Sequence, residues 1–181
     1  MIWVDAHADM NTPETSPSGN VHGMPLAACL GRGPAALVAI AGGASVLPGN
    51  VALIGIRDLD REERITVRSS GVRAYTMTDV DRRGMAAIMS EVLAALAPAT
   101  AGLHLSLDLD GLDPEVAPGV GTPVRGGLSY REAHLLAELV ADDGRLVSLD
   151  VVELNPVLDL RNATGELGAG LVLSALGDRI L

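Results

Sequence analysis

Five apolar runs of strand length recur along the chain, and most of them are near-continuous rather than alternating with polar residues. Runs of this kind are typical of strands that are covered on both faces of a sheet. The predicted strands are Ile2–Val4, Val51–Ile56, Val72–Tyr75, Leu103–Leu109 and Leu146–Val152.

Longer segments of helical composition lie between or after these runs. One helix is predicted over residues 78–97, with Thr78 placed to cap it, and another over residues 164–181. The helix predicted over residues 129–141 opens with Ser129 and Glu132 in the spacing of a capping box. The alternation of strand and helix predicts one α/β domain over residues 1–181, with a mostly parallel sheet and helices on both faces.

Composition and charge narrow the class of protein. The 23 acidic and 13 basic residues give a formal charge of −10, which argues against nucleic acid as a partner. No apolar run is long enough to span a bilayer, and the first residues lack the pattern of a secretory signal, so no membrane partner is expected. The single cysteine, Cys29, excludes an internal disulfide and fits the reducing cytoplasm.

Two acidic clusters directly follow predicted strands. Asp5, His7 and Asp9 occupy every second position after the first strand, and Asp108 and Asp110 do so after the fourth. Alternate residues of a strand share a face, and the carboxyl ends of parallel strands gather at one edge of the sheet. Carboxylate oxygens with one imidazole nitrogen favour an ion such as Mn²⁺, and bridging carboxylates suit a two-metal centre that activates water. The alternative for each Asp is a turn or a helix cap, and Asp113 before Pro114 is assigned to a turn.

The remaining histidines differ in their setting. His22 lies in a polar loop, where a ring that titrates near neutral pH suits proton transfer. His104 is too far along its strand from Asp108 to share a metal, so we expect it to be a packed strand residue. His134 is expected on a partly exposed helix face.

Other polar groups have two interpretations each. The loop from Asn11 to Asn20 offers small hydroxyl and amide groups that suit a carboxylate ligand, although its prolines also fit an ordinary surface loop. Asp60 and Glu63 are placed either to bind an amino group or to begin a solvated helix. Glu153, at the end of the last strand, is placed to grip a guanidinium group by two contacts.

Taken together, three stretches closely resemble successive signatures of the arginase branch of the ureohydrolases. They are "DAHAD" at 5–9, "SLDLDGLDP" at 106–114 with "GTPVRGGLSYRE" at 121–132, and "LDVVELNP" at 149–156. The resemblance covers essentially the whole chain. It implies a three-layer α/β/α fold and Mn²⁺-dependent hydrolysis of L-arginine to L-ornithine and urea by a metal-bridging hydroxide.

The resemblance also implies a metal-ligand set. Asp5 and Asp108 would bridge two Mn²⁺ ions, Asp9 would complete one site, and His7 and Asp110 would complete the other. Asp108 would in addition steady the tetrahedral intermediate.

For the substrate, the resemblance implies contacts along its whole length. His22 would transfer protons, Glu153 would hold the guanidinium group, and Thr122 would line the pocket nearby. The α-carboxylate would meet Asn11, Ser16 and Ser18, with Asn20 beside them. The α-amino group would meet Asp60, with Glu63 next to it.

The chain departs from the family pattern at its beginning. Family members carry earlier strands and a Gly-Gly-Asp-His segment whose His is a metal ligand, whereas "AGGASVL" at 41–47 has no Asp-His. We therefore expect an arginase-like domain without its first strands, and weak metal binding at the site that contains Asp9.

Two alternatives to a full arginase stay open. The chain could be an impaired remnant that binds one metal or pairs with a fuller subunit, or it could be an agmatinase or another guanidino-substrate hydrolase. By resemblance, a homo-oligomer (a trimer or hexamer) is expected.

Overall fold

The computed structural model describes residues 1–97 and 102–179. Within them, five parallel strands form one sheet in the order β3-β2-β1-β4-β5, so the first strand lies at the centre. The strands are β1 Ile2–Val4, β2 Ala52–Ile56, β3 Arg73–Thr76, β4 Leu103–Asp108 and β5 Leu146–Val152.

Helices connect the strands and cover both faces of the sheet. They are α1 Pro25–Cys29, α2 Ala35–Val38, α3 Arg61–Ser70, α4 Met77–Arg83, α5 Met85–Leu96, α6 Tyr130–Asp143 and α7 Ala163–Ala175. Short 3₁₀ turns lie at Val21–Gly23, Ala39–Ala41, Pro48–Asn50 and Leu109–Gly111. None of the helices in residues 1–97 and 102–179 has the length and apolar character that crossing a membrane requires.

Each face of the sheet buries its own apolar core. On one face, side chains of β2 and β4 pack with Val92 of α5, Leu136 of α6 and Leu171 of α7. On the other face, Trp3 of β1 packs with Leu26 of α1 and other apolar groups of β2 and α3. The predicted three-layer α/β/α fold with a parallel sheet is confirmed.

The predicted strands are all present, but β5 is less covered than its sequence suggests. Strands β1, β2 and β4 are almost wholly buried, as their near-continuous apolar runs predict. In contrast, β5 pairs only with β4 among the described residues, and its Val147 is 73% exposed. An apolar run therefore identified the strand here but not its burial.

The helix boundaries required three corrections. The segment predicted as one helix from Thr78 is two helices, because Gly84, at φ 79° and ψ 149°, interrupts it. The cap is Thr76 rather than Thr78: its hydroxyl accepts from the Asp79 amide in a capping box. The last helix ends at Ala175, before the predicted end at residue 181. Residues 180 and 181 of that prediction lie outside the described ranges. The capping box at Ser129 is confirmed.

The sheet reverses its direction of growth between β1 and β4. From β1 the chain adds β2 and β3 on one side, and then crosses to add β4 and β5 on the other. The crevice at the carboxyl ends of β1 and β4 is therefore the switch point where α/β proteins bind ligands. The turn after β4 approaches the end of β1 closely there: a Cβ on Gly111 would lie 3.1 Å from the Asp5 nitrogen and 3.2 Å from the Asp5 Cα.

This contact predicts that Gly111→Ala will destabilise the metal-free protein by about 1–3 kcal/mol, because the turn after β4 would have to move away from β1. The free energy of unfolding in urea measures the effect. Gly49→Ala is the matched control, since a Cβ there would meet nothing within 4 Å, and its expected effect is within about 0.5 kcal/mol. Equal stability of the two variants would contradict the close-contact argument.

Candidate metal and substrate site

A cavity of about 290 Å³ opens at the carboxyl ends of β1 and β4. Every residue that the sequence singled out for the site lines this cavity except Asp5, which is buried behind it. The lining residues from the predicted set are His7, Asp9, Asn11, Ser16, Ser18, Asn20, His22, Asp60, Glu63, Asp108, Asp110, Thr122 and Glu153.

At the back of the cavity, an imidazole lies between two carboxylates. The Nδ1 of His7 is 3.3 Å from Oδ1 of Asp5 and 3.2 Å from Oδ2 of Asp110. One ligand atom from each of these three residues lies within 4.8 Å of the others, a spacing that fits one metal ion. Strands β1 and β4 are paired, which is why residues more than a hundred positions apart meet here.

The carboxylates also hold the backbone turns that carry them. Oδ1 of Asp108 accepts the Asp110 amide at 2.8 Å and so caps the turn after β4. Asp110 accepts the Ala6 amide at 3.2 Å and the Thr122 hydroxyl at 2.8 Å. The capping role and the metal-ligand role are thus compatible, because each carboxylate has lone pairs for both.

Crowding and burial perturb the ionisation of this cluster. Burial, together with the negative charge of neighbouring carboxylates, raises the pKa of Asp9 to about 9 and that of Asp108 to about 10. The pKa of Asp5 is likewise raised, chiefly by burial. The raised pKa values of Asp9 and Asp108 favour their protonated forms near neutral pH when no cation is present.

The pKa shifts of His7 and Asp110 have the opposite sense. Hydrogen bonds to Asp110 and Asp5 raise the pKa of His7 to about 11. Burial favours neutral Asp110, but the hydrogen bonds from His7 and Thr122 and the charge of His7 outweigh burial and hold its pKa at about 2. The imidazolium of His7, beside the ionised Asp110, thus supplies positive charge within the cluster.

These residues fit a hard divalent cation. The donor set is carboxylate oxygen with one imidazole nitrogen, which Mn²⁺ accepts readily. Burial and neighbouring carboxylates disfavour the ionised forms of Asp9 and Asp108, so positive charge placed at this cluster stabilises ionised ligands. A bound cation would replace the protons of Asp9 and Asp108.

Two lining residues have backbone strain. Asp9 has φ 54° and Glu153 has φ 65°, in the left-handed region that non-glycine residues seldom adopt. Strain of this kind persists where surrounding structure fixes it, and it clusters at functional sites. Both residues line the cavity, so the strain sets where their carboxylates point.

The polar loop presents hydroxyl groups at the mouth of the cavity. Ser16 accepts the Gly19 amide at 3.0 Å and Ser18 accepts the Asn20 amide at 3.1 Å. A hydroxyl that accepts from the backbone keeps its own proton for a ligand. The loop therefore offers donors suited to a carboxylate. Asn11 is buried deeper and is engaged with Asp60, at 2.6 Å.

Asp60 and Glu63 lie at the beginning of a helix, as one of their two interpretations predicts, and both also line the cavity. Asp60 caps α3 by accepting the Glu63 amide at 2.9 Å, and the helix that follows is largely exposed. Glu63 is buried instead, and it accepts the Met10 amide at 3.0 Å. Burial raises its pKa to about 7. Both carboxylates line the cavity, opposite the carboxyl ends of β1 and β4.

The other histidines and the proposed turn also have clear positions. His22 is exposed in the 3₁₀ turn Val21–Gly23 at the cavity wall. His104 lies on β4 away from the cavity and contacts Ser148 and Asp150. The expectation of a partly exposed His134 was wrong: it is 8% exposed, because α6 and α7 pack around it and its ring bonds Ser174. Asp113 caps a turn by accepting the Glu115 amide, as expected.

Sequence reasoning missed three contributors. The Trp3 indole donates to Asp5 at 3.0 Å, and its place two residues before Asp5 on the same strand face was the available signal. Asp58 also lines the cavity. Arg57, directly after the buried strand β2, bonds the backbone of the turn that carries Asp110.

Comparisons with known proteins agree with this geometry. Residues 1–177 match the model of the Arginase family. The chain is 53% identical to an arginase of Bacillus caldovelox and 54% identical to one of Bacillus subtilis, in each case over all of this chain and 61% of the relative. It thus spans about 61% of the length of these relatives.

Solved structures give the same result. The structure of the Bacillus caldovelox arginase superposes with a TM-score of 0.96, covering 99% of this chain and 60% of that one. An Entamoeba histolytica arginase in complex with L-ornithine superposes with a TM-score of 0.92 at 37% identity, covering 98% of this chain and 59% of that one. With the family model matched over nearly all of its length, the chain belongs to the arginase family.

Proposed function

We propose that this chain carries the active site of a Mn²⁺-dependent arginase, which hydrolyses L-arginine to L-ornithine and urea. The observation that supports it most is the cavity, which joins a buried carboxylate–imidazole cluster to a loop that carries hydroxyl groups. The similar proteins of Bacillus caldovelox and Bacillus subtilis are arginases, and the Entamoeba histolytica arginase binds L-ornithine, the expected product.

The carboxylates and the imidazole would hold the cation. Asp5 and Asp108 would bridge two ions, with His7 and Asp110 completing one site and Asp9 contributing to the other. Bound Mn²⁺ would supply activation of water for attack on the guanidinium carbon. The Trp3 indole and the Thr122 hydroxyl would orient the ligand oxygens that they bond.

The charges of the substrate match the walls of the cavity. Glu153 would hold the cationic guanidinium group, and Asp60 with Glu63 would meet the α-ammonium group. Ser16, Ser18 and Asn20, with Asn11 behind them, would donate to the α-carboxylate. Agmatine lacks that carboxylate, so the hydroxyl loop favours arginine over agmatine as substrate.

His22 would move the proton. Hydrolysis adds water across the bond between the guanidinium carbon and the side-chain nitrogen of ornithine, and the departing nitrogen must gain a proton. An exposed imidazole at the cavity wall exchanges protons with solvent readily. Asp108 would steady the tetrahedral intermediate that forms when water adds to the guanidinium carbon.

A single-metal remnant is the second candidate. Asp5, His7 and Asp110 form the one three-residue group within residues 1–97 and 102–179 whose ligand atoms fit a metal ion. This supports one well-formed site rather than two. The number of Mn²⁺ ions bound per chain decides between the candidates.

We also propose a homo-oligomer in the cytoplasm. The exposed apolar groups of β5 and the loop after it, among them Val147 at 73% and Val157 at 91% exposure, suit burial in an assembly. The lone Cys29 suits a reducing compartment.

The first prediction concerns activity. With added Mn²⁺ and L-arginine, the wild-type chain should release urea. The isosteric Asp108→Asn variant should release it at least about 100-fold more slowly, because a bridging oxygen is lost. Colorimetric urea measurement gives the rate, and equilibrium dialysis gives the number of ions. Two ions per chain favour the full arginase and one favours the single-metal remnant. If the wild-type chain releases urea no faster than Asp108→Asn, the proposed arginase activity is contradicted.

The second prediction concerns pH. Groups with a raised pKa (Asp9, Asp108 and His7) stabilise the fold at low pH and lose that contribution as pH rises toward 9–11. The melting temperature of the metal-free protein should therefore fall from pH 6 to pH 8.5, and the increase caused by Mn²⁺ should grow over the same range. Calorimetric titration in two buffers of different ionisation enthalpy should show proton release on binding. If the increase in melting temperature caused by Mn²⁺ does not depend on pH and binding releases no protons, the prediction is wrong.

The third prediction concerns the hydroxyl loop. Ser18→Ala should raise KM for L-arginine about 10-fold, through loss of one hydrogen bond to a charged group, and should leave KM for agmatine unchanged. Ser69→Ala is the control, because that exposed hydroxyl bonds only its own helix. A parallel rise for both substrates in Ser18→Ala would show that the loop does not read the carboxylate.

A further inference from the structure

Arg57 binds five backbone carbonyl groups around the site. It directly follows β2 and is partly buried. Its Nη2 donates to the oxygens of Asp110 and Val124 at 2.7 Å each, and to that of Leu112 at 3.1 Å. Its Nη1 donates to the oxygens of Gly111 at 3.0 Å and Gly55 at 3.2 Å, and its Nε also reaches Val124, at 3.2 Å.

These carbonyls belong to three separate segments that meet behind the cluster. Gly55 lies in β2, residues 110–112 form the turn after β4, and Val124 follows Thr122 in the next loop. One planar guanidinium group therefore joins the end of one strand to both segments that fix Asp110. Those segments also meet in front, where Thr122 donates to the Asp110 carboxylate at 2.8 Å.

The guanidinium group acts on the carboxylates by charge without occupying their oxygens. Burial lowers the pKa of Arg57 overall, and the negative charge of Asp110 opposes that shift, so the side chain stays cationic. In the described ranges its hydrogen bonds go to carbonyl groups alone. The ligand oxygens of the cluster thus stay available to a metal ion.

The chain makes room for this side chain at Gly127. A Cβ at that position would lie 2.6 Å from Nη2 of Arg57 and 2.5 Å from the carbonyl carbon of Leu112. A side chain there would displace either the guanidinium group or the turn. The packing around Arg57 is therefore tight on the side away from the cavity.

We propose that Arg57 is a positioning residue: it fixes the backbone of the Asp110 turn and the Thr122 loop, and so sets the geometry with which Asp110 receives a divalent cation. Its role in metal affinity rests on the proposed function, whereas its role in fixing the turn does not. Lysine would keep the charge, but its single ammonium group has at most three donors and no planar fork, so it cannot bond all five carbonyl groups.

The test compares Arg57→Lys and Arg57→Met with Arg145→Lys. Arg145 is a matched control, because it also donates to a backbone carbonyl, that of Leu93, far from the cavity. Hydrogen exchange of the metal-free proteins measures protection of residues 109–112 and 122–126. Calorimetric titration with Mn²⁺ measures affinity, and thermal melting measures global stability.

We expect Arg57→Lys to lower Mn²⁺ affinity about 10-fold and Arg57→Met about 100-fold, as for other groups that orient metal ligands. Both variants should lose protection selectively at residues 109–112 and 122–126. Arg145→Lys should leave affinity and that protection unchanged, even where its melting temperature falls as much. If Arg57→Met does not fold, Arg57→Lys carries the comparison.

Two outcomes would overturn the proposal. Protection of the turn and loop in Arg57→Lys equal to that of wild type would show that the guanidinium group does not fix them. A loss of Mn²⁺ affinity in Arg145→Lys as large as in Arg57→Lys, at equal melting temperature, would show a general effect of stability. Failure of the wild-type chain to bind Mn²⁺ would contradict the proposed function, and the hydrogen exchange result would then decide the role of Arg57 by itself.

Discussion

Repulsion among buried carboxylates is the constraint on which this structure depends. Asp5, Asp9, Asp108 and Asp110 gather at the ends of two paired strands, where little water reaches them. Negative charges this close and this buried cannot all be ionised without compensation. Without metal, protons on Asp9 and Asp108 remove negative charge, and the imidazolium of His7 supplies positive charge. A bound divalent cation would supply positive charge while the carboxylates stay ionised. Metal binding and the stability of this region are therefore linked.

The topology creates that constraint and also limits its cost. The strands that follow β1 and β4 in the chain are added on opposite sides of the sheet. A crevice therefore forms between the carboxyl ends of β1 and β4. Gly111 lets the turn after β4 come within contact distance of Asp5. Backbone amides and the Trp3 indole then donate to the carboxylates, and each such bond offsets part of the cost of burying them. The site is a property of how two strands meet, rather than of either motif alone.

The acidic clusters could be placed from the sequence because each directly follows an apolar run, and the carboxyl ends of parallel strands meet at one edge of a sheet. Alternation along the strand is not the cause, since β1 ends at Val4 and Asp9 has φ 54°. The cap at Thr76 was missed since Thr78 also stands before a helical pattern, and only the hydrogen bond to Asp79 distinguishes the two. The burial of His134 depends on α7 packing against α6, a contact between distant segments that local composition does not report. Arg57 was missed for the same reason, because its carbonyl partners come from three parts of the chain.

The cavity divides its work between two kinds of structure. The carboxylates proposed to hold a cation are buried, and backbone amides donate to Asp108 and Asp110, as a fixed coordination geometry requires. The residues proposed to contact the far end of the substrate lie on an exposed loop, where Ser18 accepts the Asn20 amide. Changes in that loop would alter which ligand is held without disturbing the strands beneath it. In the proposed function, substrate preference and water activation would therefore depend on different segments of this chain, the loop at residues 11–20 and the carboxylate cluster.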